Sequence, residues 1–434
     1  MRRRAGSEPR GALGHRKLVV GAALAASGAA AAVPACYLAV LSMAAWRAPR
    51  RAARPLDVPA PELVVLVPAH DEEELIGRCV TSLRAQRYPG DRFKVVVVAD
   101  NCSDRTAERA AVAGAQVLVR TGPLGGGKGA ALRWAMEQVL ATDRQSDAFV
   151  IVDADSITEP NLLNGLAERL QEGAAAVQGD YSAVPGQGTR SELRSTAFVL
   201  FHRVRFSGRA ALGLPCSLVG NGMLLSRQLI EAHPWTAVSA AEDLEYSTDL
   251  RLLGVRPVFA PDARLQAPVM AGGRGAMTQR LRWEGGRAHV VCSRLPRLVR
   301  ECAAGRGGEL WDAALDLAVP PLGVLAVVVL AGTSVTLALS VAGVVDVVVL
   351  APWAVGMLAL PTHVLVGLAA VGAPRSAFRA LLSAPLLVAE ELVTRARLLG
   401  GTKADVWERT ARPGEAGPGD EGRQRTSADD PTGL

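Results

Sequence analysis

Two aspartates one residue apart, Asp153-Ala154-Asp155, follow the apolar run Phe149-Val150-Ile151-Val152, so both carboxylates share one face at the end of a buried strand. A hard divalent cation takes such oxygen ligands and bridges them to a diphosphate. The bland alternative, an acidic turn that caps the next helix, accounts for one acid better than for two. Farther on, Glu242-Asp243 opens a helical stretch with Leu244, Ser247, Leu250 and Leu253 behind it. Charge compensation at a helix N-terminus competes there with general-base chemistry at Asp243, and Glu245 and Asp249 resemble it in sequence. Gln279-Arg280-Leu281-Arg282-Trp283 lies in a basic stretch that begins at Arg274. A guanidinium neutralises a departing diphosphate, and an indole offers a flat face to a sugar ring. A basic helix lying on a membrane explains the arginines but neither Gln279 nor Trp283.

Three further strand ends carry polar residues. Val67-Pro68-Ala69-His70-Asp71-Glu72-Glu73 ends one apolar run, and Asp100 ends another, where a carboxylate can bond a base or a ribose. Asp104 reads as a cap of the following helix. Gly122-Pro123-Leu124-Gly125-Gly126-Gly127-Lys128-Gly129 has the spacing of a nucleotide-triphosphate loop, but Gly129 stands where that motif needs a Ser or Thr for Mg2+. Such a loop also leaves Glu242-Asp243 and Arg282-Trp283 unexplained. A loop presenting Lys128 to phosphates fits either reading.

The elements that must position these residues are an alternation of strand and helix. Leu63–Val67, Lys94–Ala99, Gln116–Arg120 and Ala148–Val152 read as buried parallel strands, with helices over 73–87 and 104–114. That order predicts a doubly wound α/β sheet over residues 62–300, whose ligands bind beyond the carboxyl ends of the strands. The chain has 434 residues, 49% of them hydrophobic, with mean hydropathy +0.20 and net charge +6. Its apolar residues are concentrated at the flanks. After a basic tail over 1–17, Leu18–Ala45 is uncharged for 28 residues, long enough to span a bilayer and longer than a signal-peptide core. Residues 313–373 hold two more spans, roughly 317–341 and 347–371, with Asp316 and Asp346 their only charges. Residues 377–399 read as an amphipathic helix in the membrane interface, and 413–434 as a disordered tail. Arginines beside spans meet lipid headgroups, so the positive charge points to membrane lipids and not to nucleic acid. The six cysteines show no metal spacing and read as free thiols.

In motif order over 62–300, the chain resembles the membrane-bound family 2 glycosyltransferases, the group of the cellulose, chitin, hyaluronan and poly-N-acetylglucosamine synthases. The resemblance implies a GT-A, nucleotide-sugar-binding, Rossmann-like catalytic domain flanked by transmembrane helices. It implies an inverting transfer from a UDP-sugar, with Mg2+ or Mn2+, to a growing β-linked glycan; the alternative is transfer of one sugar to a lipid carrier or lipid-linked acceptor. Under it Pro68, Asp71, Glu72, Asp100, Lys128 and Asp153 line the donor nucleotide, Asp155 holds the metal and Asp243 is the base. Gly222, Glu242, Gln279, Arg282 and Trp283 then face the acceptor and the diphosphate. His70-Asp71 departs from the pair usual in the first motif, which leaves the donor sugar open. The short C-terminal membrane part argues against a full polymer channel, and an accessory export subunit is compatible with a polymer product. Both flanks of the first span are basic, so charge gives no orientation. A cytosolic donor would put the 62–300 domain in the cytosol of a bacterial plasma-membrane protein. The alternative from another class, a silent nucleotide- or glycan-binding membrane partner, leaves the intact Asp153, Asp155 and Asp243 without a purpose.

Overall fold

The computed structural model describes residues 10–48, 56, 58–122, 127–185, 188–237, 239–268, 273–385, 388–389 and 393. Its centre is one eight-stranded sheet in the order β3-β2-β1-β4-β7-β6-β8-β5. The first half is regular. Strand β1 (Leu63–Ala69) lies between β2 (Phe93–Asp100) and β4 (Ala148–Ile151), β3 (Gln116–Arg120) is the edge, and all pair in parallel. Helices α2 (Ile76–Arg84), α3 (Thr106–Val112) and α4 (Gly127–Thr142) make the crossovers. Alternate residues of each strand serve opposite faces, as a period of two requires. Leu63, Val65, Val67, Val95, Val97 and Val150 bury against α2 on one side. Val64, Leu66, Val96, Val98, Phe149 and Ile151 bury against α4 on the other.

The second half departs from a parallel sheet. The short β5 (Ile157–Thr158) and α5 (Leu162–Gln171) precede β6 (Ala176–Val184). Strand β7 (Met223–Ser226) then runs antiparallel to both β4 and β6, followed by α8 (Arg227–Ala232), α9 (Glu242–Leu252) and β8 (Val258–Pro268). Strand β8 is parallel to β6 and antiparallel to β5. Between β6 and β7 lie α6 (Thr189–Val199), a π-helical turn at Leu200–Val204 and α7 (Arg205–Ala211).

Three described helices are long and apolar enough to cross a membrane, over Lys17–Arg47, Leu322–Val341 and Val347–Ala370. The first belongs to α1 (Arg10–Arg47), which already starts within the basic N-terminal stretch. After the long α10 (Gly273–Ala303), α11 (Gly308–Ala318) precedes α12 (Leu322–Val341). The span begins at Leu322 and not near 317, because Pro320-Pro321 cannot continue α11. Helix α13 (Ala351–Ala370) lies alongside α1, with Gly28 against the Trp353 ring and Ser42 Oγ 2.8 Å from His363 Nδ1. Lys17 Nζ donates to Gly343 O at 2.7 Å, so the start of α1 and the α12–α13 turn share one side. The sheet lies toward the other end of α1, where Gly208 abuts the Leu41 backbone. Of the stretch read as interfacial, α14 (Arg375–Ala380) and a 3-10 turn at Leu381–Ser383 are described and lie near α6. Most of 386–399 and all of 413–434 fall outside the described residues.

A buried ion cluster joins sheet and membrane helices. Arg205 and Arg209 of α7 reach Asp316 of α11 at 2.6 and 2.8 Å. Arg251 of α9 reaches Asp312 at 2.7 Å and Asp316 at 3.5 Å, while Arg209 also bonds Asp312 and Tyr37 of α1. Asp316, one of two charges in the apolar zone, therefore belongs to this junction.

Candidate active site

The loops that follow β1 and β2 are laced together. Asp71 takes a left-handed backbone (φ 52°), and its carboxylate accepts bonds from Ser103 N at 2.7 Å and Asp104 N at 3.3 Å. Glu72 N donates to Thr106 Oγ1 at 2.7 Å. Asp100 is 3% exposed and is held by Arg120 Nη1 at 2.6 Å and Asn101 Nδ2 at 2.9 Å. Pro68 is buried in β1 opposite Val98. Asp71, Cys102 and Asp104 bring ligand atoms within 4.8 Å of one another, but the two acids are engaged by backbone N–H groups. Of the expected nucleotide-side residues, Asp71, Glu72 and Asp100 thus form one polar patch at adjacent strand ends, and Arg120 is a member that sequence reading missed.

The second group forms around Lys128, in the first turn of α4. Its ammonium lies 2.5 Å from Asp153 Oδ1, 2.7 Å from Gly220 O and 4.0 Å from Glu242 Oε1. Gly220 has φ +74°, and a Cβ there would lie 2.9 Å from Asp243 Oδ2 and 3.2 Å from Lys128 Nζ. Glycine is therefore what lets the acid and the ammonium close over this backbone. Asp243 Oδ1 accepts a bond from its neighbour Leu244 N at 2.7 Å. Gly129 packs beneath Ala237 O and the Glu242 Cβ, which leaves no room for the hydroxyl residue of a phosphate-binding loop. The departure from that motif at Gly129 thus has a steric reason.

Electrostatics mark the same group. Burial pushes the Glu242 carboxyl up to about 7, Asp243 adds to the shift, and Lys128 opposes it. Burial also raises Asp243, against the pull of Lys128. For Lys128, burial disfavours the ammonium, but Asp153 and Glu242 outweigh it and its pKa rises. Burial lowers the pKa of Arg282 on α10, and the charges of Glu242 and Asp153 oppose that shift. Trp283 beside it is 46% exposed. Gln279 lies on the same helix with its side chain outside the described residues. Three carboxylates, Asp153, Glu242 and Asp243, thus gather around Lys128 with Arg282 in their field, and Asp155 follows two residues after Asp153, a charge pattern suited to a divalent ion and a diphosphate ester.

Gly222 is set below this group. Its N donates to Ile151 O at 2.9 Å and its O accepts from Gly179 N at 2.7 Å, and a Cβ would collide with Leu265. Its place is in the sheet under the site. Between Gly220 and Gly222, in the segment Gly220-Asn221-Gly222-Met223 that the family resemblance assigns to the acceptor, sits Asn221, fully buried and bonded to the paired-aspartate turn.

Residues 59–286 match the family model described as glycosyltransferase like family 2. A probable glycosyltransferase of Bacillus subtilis, YdaM, is 28% identical over 239 residues, 53% of this chain and 56% of that protein. The beta-monoglucosyldiacylglycerol synthase of Synechocystis is 27% identical over 208 residues, 45% of this chain and 41% of the relative. The chain spans about half the length of these curated relatives. Among solved structures, the mannosyltransferase PcManGT of Pyrobaculum calidifontis, in complex with GDP-Man and Mn2+, aligns with TM-score 0.47 at 19% identity, covering 88% of this chain and all of that one.

Proposed function

The chain belongs to the glycosyltransferase like family 2 and has its GT-A-like α/β fold; on that footing, we propose that it transfers a hexose from a UDP-sugar to an acceptor presented at the membrane surface. One observation carries this reading. Asp153, Glu242 and Asp243 converge on Lys128 at the ends of the strands, in the field of Arg282. On the same helix as Arg282, one turn past Trp283, Arg287 donates to Leu317 O at 3.1 Å and also to Val319 O, just before the span that starts at Leu322. The reacting groups therefore lie close to the membrane boundary.

The proposed reaction is a single in-line displacement, which inverts the anomeric carbon. The acceptor oxygen bonds to that carbon as its bond to the diphosphate oxygen breaks, the electron pair leaves with UDP, and the acceptor proton passes to Asp243. Burial and like charge make that carboxylate a better base than one in water. Lys128 and Arg282 stabilise the charge on the departing diphosphate. Pro68, Asp71, Glu72 and Asp100, the last with Arg120, would line the nucleotide, and Gln279 and Trp283 would meet the acceptor. The donor set at Asp153 and Asp155 fits Mg2+ or Mn2+. Its ligands are carboxylate oxygens, and the adjacent Cys79 stays a thiol because burial, with Asp155 and Asp153, pushes its pKa well up. Such an ion, when bound, would act as a Lewis acid toward the diphosphate.

For the acceptor, we favour a lipid or lipid-linked molecule that receives one sugar. Relatives named beta-monoglucosyldiacylglycerol synthase support it, as does the direct packing of the spanning helices, where Gly28 and Gly332 both abut Trp353. The growing glycan remains the second reading, favoured by the exposed Trp283 of the Gln-x-x-Arg-Trp pattern. In either case a cytosolic donor sets the sheet in the cytosol of a bacterial plasma membrane, with Lys17 and Gly343 on the far side. The test is UDP release by the full chain in membranes, across a panel of UDP-sugars with Mn2+ or Mg2+, with products sized by mass spectrometry. One adduct supports the lipid acceptor, a ladder supports the glycan, and no release with any donor overturns the reading.

A further inference from the structure

We propose that Asn221 is the positioning residue of the paired-aspartate turn, and that it fixes the Asp153 and Asp155 carboxylates in the spacing a divalent cation requires. This rests on the metal-assisted reading above. The side chain is completely buried. Its Oδ1 accepts the bond from Asp153 N at 3.0 Å, and its Nδ2 donates to Ser156 Oγ at 2.8 Å. One amide thus spans the first and last residues of the Asp153–Ser156 turn, which Ser156 N closes on Asp153 O at 3.0 Å. The Ser156 hydroxyl in turn approaches Asp155 Oδ1 at 3.5 Å.

The chemistry asks for asparagine. The turn offers an N–H donor at one end and a hydroxyl at the other, and a planar amide supplies an acceptor and a donor to match. Aspartate would accept the first bond but add a negative charge beside two carboxylates. Serine has the wrong reach. Asn221 is itself fixed, because its carbonyl accepts from Gln178 Nε2 at 2.8 Å and Gln178 Oε1 accepts from Val219 N at 2.9 Å. Its neighbour Gly220 carries the contacts with Lys128 and Asp243, so a single tripeptide sets both the metal side and the base side of the site. Groups that orient ligand carboxylates from behind are typically worth 10–100-fold in metal affinity.

The experiment measures Mn2+ binding to the full chain in lipid nanodiscs by electron paramagnetic resonance, without donor, beside thermal unfolding. For Asn221→Ala the Mn2+ dissociation constant should rise about tenfold, and kinetically the Mn2+ concentration for half-maximal activity should rise more than kcat falls. Ser156→Ala keeps the Asp153 bond and removes the other, and should give roughly a threefold rise, the lesser part of the same effect. If both variants bind Mn2+ within twofold of wild type, whatever their loss of Tm, the role is refuted and Asn221 only fills the core. Should Asn221→Ala fail to fold, Ser156→Ala decides by the same criterion. Wild type without Mn2+ binding would refute the metal reading and this proposal together, whereas wild-type binding with unchanged variants refutes this proposal alone.

Discussion

Two buried charge clusters lie at opposite ends of α9, and they are balanced in opposite senses. At its start, Glu242 and Asp243 join Asp153 around Lys128 in a group where acids outnumber that cation, and burial with repulsion between neighbouring acids lifts the Glu242 and Asp243 carboxyls. At its end, Arg251 joins Arg205 and Arg209 around Asp312 and Asp316, where cations outnumber acids; burial alone would raise Asp316, but the arginines hold it far below the usual range. The second cluster is paired at every described carboxylate and has only to hold the sheet on the membrane helices. The first keeps acids ready to ionise or to take a proton, which costs stability and is what a reacting site requires.

The largest effect should separate the clusters outright. Asp243→Asn removes the proposed base and should cut UDP release by roughly 10²–10⁴-fold, the usual worth of general-base catalysis, with thermal unfolding no lower than wild type. Asp316→Asn should do the converse. It takes from Arg205 its carboxylate partner and leaves Arg209 and Arg251 sharing Asp312, and should cost about 3–5 kcal/mol, read as a loss of Tm in nanodiscs, while the folded fraction keeps its kcat. If Asp316→Asn lost activity with no change in Tm, the junction would be part of the reaction and the contrast would fail.

A pH series sharpens the first cluster. The folded pKa of Glu242, about 7, lies above its ordinary 4.5, so its contribution to stability is full below pH 4.5 and lost as pH rises through 7. Glu242→Gln should therefore be more stable than wild type at pH 8 and show no such gain at pH 4. The same change takes a negative charge from beside Asp243, so the acid limb of kcat/KM should move to lower pH. An unmoved limb would mean that the two acids titrate independently.

What was legible in the sequence follows the range of the interactions. Strands β1 to β4 announce themselves by β-branched runs such as Val95–Val98, because local pattern and burial coincide there. Strand β6, Ala176–Val184, carries Gln178, Gly179 and Asp180 within it and has no such signature; its mixed pairing is set by long-range partners. The acids of the site were readable as motifs, since each pair lies within three consecutive residues of the chain. Their company was not: Lys128 meets Gly220 across 92 residues, and Arg120 meets Asp100 across 20. Asp316 looked like a charge stranded in an apolar zone because Arg205 lies 111 residues away.

The smallest effect is expected between the clusters. Arg294 of α10 bonds Glu245 at 2.8 Å and Asp249 at 3.0 Å, both on α9, and so ties the helix of Arg282 and Trp283 to the helix of Asp243. Its side chain is 23% exposed, and such pairs in water contribute little. The two helices also share an apolar seam, in which Val290 and Leu298 pack with Leu244 and Leu252. That seam should hold their spacing when the ion pairs are gone. Arg294→Met should therefore lower stability by no more than about 1 kcal/mol and leave UDP release nearly unchanged. A large loss of release at an unchanged Tm would give the ion pairs, and not the seam, control of the distance between base and guanidinium. The charge on α9 would then act as one system along its length, and the division between a cluster that reacts and a cluster that only holds would no longer stand.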